Sequence, residues 1–146
     1  MNNTPDCSSS KTALLILISG PSGVGKDAVV TRMRQLGLPF FYTVTTTTRS
    51  QRPQEKNGTD YEFVTKQAFK RMVQGNEFLE WALVYGNLYG VPKTPVINAL
   101  RQGQDVIIKT DVQGVKTIKT IAPQAISIFI APGDPHDLTK RLTQRM

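Results

Sequence analysis

The chain has 146 residues, 39% of them hydrophobic and 20% charged, with a formal net charge of +7 and a single cysteine. That is one domain's worth of sequence with enough apolar content for a core, which excludes a fibrous, low-complexity or disulfide-stapled protein. The basic residues are spread along the chain without a dense run, so a polynucleotide is not an expected partner.

Residues 1–12 read as a disordered polar tail that carries Cys7 but no basic leader. The apolar run at residues 14–18 is too short for a signal core or a membrane span. It reads as a buried first strand, and the protein as cytoplasmic, with no membrane contact. Gly20, Pro21, Ser22, Gly23, Val24, Gly25, Lys26 and Asp27 follow, and match G-x-x-x-x-G-K-[ST] at every place but the last. Glycines let backbone N–H groups curl around an anion, and the helix expected after them adds its partial positive charge. Lys26 can then reach the terminal phosphates of a nucleoside triphosphate. Asp27 stands where a hydroxyl normally helps to hold magnesium. A bare glycine turn would need neither the strand before nor the helix after.

Further along, helical spacing covers residues 26–36 and stops at Gly37, and residues 40–44 read as a second strand. Residues 49–58 turn polar, with Pro53 and the turn pair Asn57 and Gly58. A short strand is expected at 61–64, a helix at 67–73, and a strand at 78–85 followed by a turn at 85–87. Thr94 is expected to cap a helix with Pro95 at its first position, ending near Gly103. A buried strand at 106–108 opens onto Lys109, Thr110 and Asp111. A helix at 115–121, a strand at 125–130 and a last helix from Asp134 and Pro135 onward complete the pattern. Alternating strands and helices predict an α/β fold with a parallel sheet.

Between and beyond these elements several spaced motifs agree in order and separation. They are Thr45 to Arg49, Arg52, Glu55, Asp60 with Tyr61, Glu80 with Trp81, Tyr89 with Gly90, and Asp111 with Gly114. Together with the phosphate loop they resemble the guanylate kinases over nearly the whole chain. The resemblance implies a P-loop NTPase-type parallel sheet flanked by helices, with a small inserted GMP-binding subdomain. The expected divisions are 13–48 for the core with the loop, 49–91 for GMP binding, 92–133 for the core continued, and 134–146 for the start of a lid. The lid and the C-terminal part of the fold are expected to be incomplete.

The implied activity is transfer of a phosphoryl group from ATP to GMP with Mg2+, and ATP and GMP are the implied small-molecule partners. Lys26 and the loop residues 20–27 would bind ATP. Arg49, Arg52, Tyr61 and Tyr89 would hold the GMP phosphate, and guanidinium forks suit phosphate oxygens. Glu80, Thr45 and Asp111 would contact the nucleoside. Guanine offers N–H donors at N1 and N2 that a carboxylate accepts together, whereas adenine presents a bare acceptor at N1. Arg141 and Arg145, four apart on the last helix, would neutralise charge on the transferring phosphoryl group. His136 reads as a solvated residue, since a phosphate acceptor needs no general base.

Three departures from the family stand out. Val91 occupies a place where a hydroxyl usually touches the guanine oxygen. Asp27 and Lys109 change together: the loop gains a negative charge while the strand before Asp111 trades a negative for a positive. Asp27 is then the expected magnesium ligand, with Lys109 paired to it or to a phosphate. The third is the abrupt end. Three other readings remain open at this stage: a related P-loop kinase acting on a ribose bisphosphate, a guanylate-kinase-like binding module, and a catalytically impaired fragment. Glu80 and the arginine loop argue against the first, and the retained Lys26 against the second.

Overall fold

The apolar run after the tail forms β1 (Leu15–Ser19), flanked on both sides by parallel neighbours in a computed structural model that describes residues 12–144. The expected tail (save Thr12), Cys7 and Arg145 lie outside the described residues. One neighbour of β1 is β7 (Val106–Lys109), which also pairs with β2 (Phe41–Tyr42); the other is β8 (Ile126–Phe129). The resulting order is β2-β7-β1-β8, every pair parallel. Parallel neighbours need crossovers, supplied in part by α1 (Lys26–Gln35) after β1 and α4 (Val112–Ile121) after β7.

Side chains alternate between the two faces of this sheet. Leu15, Leu17, Val106 and Ile108 pack with Val91, Val96, Ala99, Ile118 and Ala125 on one face. Ile18 and Ile107 pack with Val30 on the other. Burial on both faces explains why these strands read as unbroken apolar runs. The strand β8 forms an edge, and its four residues are exposed.

A second sheet has the order β4-β3-β6-β5, from β3 (Thr45–Thr47), β4 (Tyr61–Phe63), β5 (Phe78–Val84) and β6 (Asn87–Pro92). β3 and β4 are parallel, and β6 is antiparallel to both β3 and β5. Tyr85 (φ 48°) and Gly86 (φ 80°) make the tight β5–β6 turn, the left-handed geometry that two-residue hairpins favour. α2 (Lys66–Gln74) is capped by Thr65, whose hydroxyl accepts from the Ala68 N–H. It presses Phe69 onto Phe78, the rings stacked with centroids 4.6 Å apart. The remaining helices are α3 (Lys93–Arg101) and α5 (Pro135–Gln144).

Four local expectations change. The strand expected at 40–44 ends at Tyr42, and β3 begins at Thr45 in the other sheet, so the second sheet starts before residue 49 and ends at Pro92. β6 follows the expected turn directly and was not foreseen. α3 begins at Lys93, with Pro92 as its cap, because the Lys93 N–H is already bound by the Glu77 carbonyl at 2.8 Å; Thr94 is inside the helix. α4 begins at Val112, since Asp111 caps it.

Gly90 makes one packing requirement testable. A Cβ there would lie 2.6 Å from the Phe78 ring, which has Phe69 behind it. We expect Gly90→Ala to lower stability by about 1–3 kcal/mol in urea unfolding, the usual cost of overpacking. Gly133→Ala, with no heavy atom within 4 Å of the new Cβ, should leave the midpoint unchanged.

Candidate active site

The phosphate loop takes its form from backbone angles that favour glycine. Gly20, Gly23 and Gly25 have φ of 150°, 82° and 108°. A Cβ at Gly20 would also collide with the Ile130 carbonyl oxygen at 2.5 Å. Lys26 opens α1 and donates from Nζ to the Gly20 carbonyl at 2.5 Å, holding the ammonium across the loop's mouth. From α5, Arg141 donates to the Val24 carbonyl at 3.1 Å, and Leu142 packs beside Gly23.

The register of β1 with β7 sets Ile18 beside Lys109, and the Thr110 N–H donates to the Ile18 carbonyl at 3.0 Å. Lys109 therefore emerges beside the first turn of α1. Its ammonium forms an ion pair with Asp27 and sits 4.5 Å from the centre of the Tyr61 ring. The Tyr61 hydroxyl makes a long 3.5 Å contact to the same Asp27 oxygen. Burial alone would lower the Lys109 pKa, but Tyr61 and Asp27 outweigh it and leave the amine above its ordinary value. Burial pushes the Tyr61 hydroxyl up, partly opposed by Lys109. The two residues that depart together in the sequence thus meet in one contact between α1 and β7, and Tyr61 of the second sheet lies against it.

Arg49 follows β3 and is gripped by Glu55 through both terminal nitrogens, at 3.1 and 2.7 Å. Glu55 also accepts from the Arg52 N–H at 2.8 Å, so one carboxylate folds the whole arginine loop. Burial would raise the Glu55 carboxyl, but Arg49 and the Arg52 N–H bring it below its usual range. Arg49 is pushed further up in turn, chiefly by its hydrogen bond to Glu55. Its guanidinium lies 5.2 Å from the centre of the Tyr61 ring, and Tyr61 meets Tyr89 edge to face at 6.3 Å.

Glu80 projects from β5 and is buried, as is Thr110, whose hydroxyl donates to Glu80 Oε1 at 2.9 Å. Burial raises the Glu80 pKa, the Thr110 hydrogen bond pulls it down, and Asp111 pushes it up again. Asp111 accepts from the Gly114 N–H at 2.8 Å as the cap of α4. Val91 stands opposite Glu80 in the β5–β6 register, but its side chain is part of the core.

One cavity of about 580 Å³ gathers these groups. Of the residues singled out in the sequence, Ser22, Gly23, Gly25, Lys26, Asp27, Thr45, Arg49, Arg52, Tyr61, Glu80, Tyr89 and Asp111 line it. Gly20, Pro21 and Val24 shape the loop without lining the cavity, and Arg141 reaches the loop from outside. Lys109, singled out in the sequence with Asp27, lines it too, as do Thr110, Ala82, Val84, Tyr85 and Leu142. Thr110 was not foreseen as a site residue. Its signal was a hydroxyl in an otherwise apolar strand end, next to two charged positions.

A family model described as guanylate kinase matches residues 12–146. Guanylate kinase of Carboxydothermus hydrogenoformans is 42% identical over 132 residues, covering 90% of this chain and 65% of the relative. That of Lactobacillus johnsonii is 44% identical over 133 residues, with the same coverage. The chain thus spans about 65% of the length of these relatives. A crystal structure of guanylate kinase from Anaplasma phagocytophilum superposes with a TM-score of 0.77 at 30% identity, over 90% of this chain and 66% of that one. A phosphate loop and a carboxylate-bearing second sheet facing one cavity, together with these matches, assign the chain to the guanylate kinase family.

Proposed function

We propose that this chain transfers the terminal phosphoryl group of ATP to GMP, giving ADP and GDP. The observation that carries the reading is the shared cavity, in which the Lys26 loop, the Arg49–Arg52 loop and the buried Glu80 carboxylate all take part. A triphosphate-binding loop alone would fit any P-loop enzyme. A buried carboxylate beside an arginine loop suits an acceptor with a phosphate at one end and paired N–H donors at the other.

An oxygen of the GMP phosphate attacks the terminal phosphorus of ATP as the bond to the bridging oxygen breaks, and ADP leaves. The attacking group is already an oxyanion, so positioning and charge stabilisation carry the catalysis. Lys26 and the loop N–H groups hold the donor phosphates. Arg49, fixed in orientation by Glu55, and Arg52 hold the acceptor phosphate, with the Tyr61 and Tyr89 hydroxyls beside them. Arg141, anchored on Val24, offers positive charge where charge builds up.

Among the described residues no group of three or more His, Cys, Asp or Glu side chains is placed to hold a metal ion. Magnesium usually takes one or two carboxylates and draws its other ligands from phosphates and water. Asp27 is the carboxylate at the loop and would hold it from the protein side. Bound with ATP, the ion supplies neutralisation of the phosphate charge. Lys109 shares the Asp27 carboxylate and brings a second, fixed positive charge to the same place.

The test is ADP release from Mg-ATP by the chain with GMP, AMP, a ribose bisphosphate or no acceptor. We expect release that depends on GMP and falls by at least about a hundredfold in Lys26→Ala, the scale of losing one transition-state contact. Release that ignores the acceptor would overturn the reading. Asp27→Ser and Lys109→Asp should each impair turnover, the first by taking the carboxylate from a half-buried ammonium and the second by facing two carboxylates. The double variant should recover activity, with a coupling of about 0.5–3 kcal/mol in the cycle. Strict additivity would separate the two residues functionally.

A further inference from the structure

We propose that Thr110 is a positioning residue for base selection: its hydroxyl fixes the Glu80 carboxylate in the orientation that accepts the paired N–H donors of guanine. This inference rests on the acceptor reading above and names the part of the chain that sharpens it.

The geometry carries the argument. Glu80 and Thr110 lie thirty residues apart in sequence, both are buried, and they meet at 2.9 Å with the hydroxyl donating. Thr110 is itself held by the backbone, since its N–H donates to Ile18 across the β1–β7 pair. The anchor is therefore the rigid sheet rather than a loop. Opposite Glu80, Val91 has no polar atom in its side chain and is in the core, so it offers the base no hydrogen bond. Glu80 lines the cavity, so the carboxylate's remaining acceptor capacity is available to a ligand there.

Gly114 completes the arrangement. A Cβ at that position would lie 1.9 Å from the Thr110 hydroxyl oxygen and 2.8 Å from Glu80 Oε1. The absence of a side chain on α4 thus makes room for the hydrogen bond. A carboxylate released from Thr110 would be free to rotate. It would also protonate more readily, because burial and Asp111 both raise its pKa while the Thr110 bond lowers it. Lys26, Asp27, Arg49, Arg52, Lys109 and Asp111 are the other charged groups on the cavity wall, and of these Asp111 acts on Glu80 directly. A protonated carboxyl donates where an ionised one accepts, and the N1 of adenine is an acceptor. Loss of the hydroxyl should therefore weaken GMP and narrow its advantage over AMP.

The experiment is calorimetric binding of GMP, AMP and ATP to the native chain, Thr110→Val and Thr110→Ser over a range of pH. We expect Thr110→Val to bind GMP about tenfold more weakly, about 1.4 kcal/mol, with ATP affinity unchanged. The acid limb of its GMP affinity should move to higher pH, because the group must lose its proton to accept both guanine N–H groups. Thr110→Ser, which keeps the donor, should restore both the affinity and the pH profile. GMP affinity and pH profile in Thr110→Val equal to those of the native chain would overturn the inference and leave the acceptor reading standing. Equal losses of GMP and ATP binding in both variants would reduce Thr110 to a packing role. Failure of the native chain to bind GMP would overturn the acceptor reading, and this inference with it.

Discussion

The parallel pairing of β1 with β7 is the constraint on which the site depends. Its register carries Ile18 beside Lys109, so the strand leading into the phosphate loop and the strand leading into Asp111 finish side by side. From those two ends come Lys26 and Asp27 on one side and Lys109, Thr110 and Asp111 on the other. A one-residue slip would turn Lys109 and Thr110 each to the opposite face of the sheet. The buried alternation of Leu17 and Ile108 on one face with Ile18 and Ile107 on the other prevents that slip. Core packing thereby fixes the relative placement of chemically active groups that are far apart in sequence.

Charge inside the cavity is organised by pairs in which an acid holds a base in place. Glu55 aims Arg49, and Asp27 holds Lys109 against Tyr61. Neither acid is required to take part in chemistry in order to matter. Each fixes the direction of a cation before a ligand arrives, so that in the proposed reaction little reorganisation is left for the moment when phosphate charge must be stabilised. The two pairs meet at Tyr61, whose ring lies near both Arg49 and Lys109.

Much of this was legible in the sequence because it is local. The phosphate loop depends on glycines within a few residues of one another, and the parallel sheet announces itself through apolar runs buried on both faces. Less legible was whatever depends on a partner elsewhere. β3 is three buried threonines, and the burial of Thr47 makes sense only once its hydroxyl donates to the Leu88 carbonyl. β6 contains Gly90 and Pro92, residues that propensity places outside strands, and Gly90 is there because the Phe78 ring needs its space. Asp111 reads as a ligand in the family pattern, yet it is also a helix cap, a second duty visible only from the position of Gly114. Thr110 escaped notice because a single hydroxyl between Lys109 and Asp111 is a weak signal beside two charges.

Gly114 has a consequence for how this site can drift under mutation. Any side chain there must displace the Thr110 hydroxyl, the Glu80 carboxylate or both. A single codon change on α4 therefore reaches the buried Glu80 carboxylate without altering that residue. The effect would come through packing, because the new side chain needs the space that the Thr110–Glu80 hydrogen bond occupies.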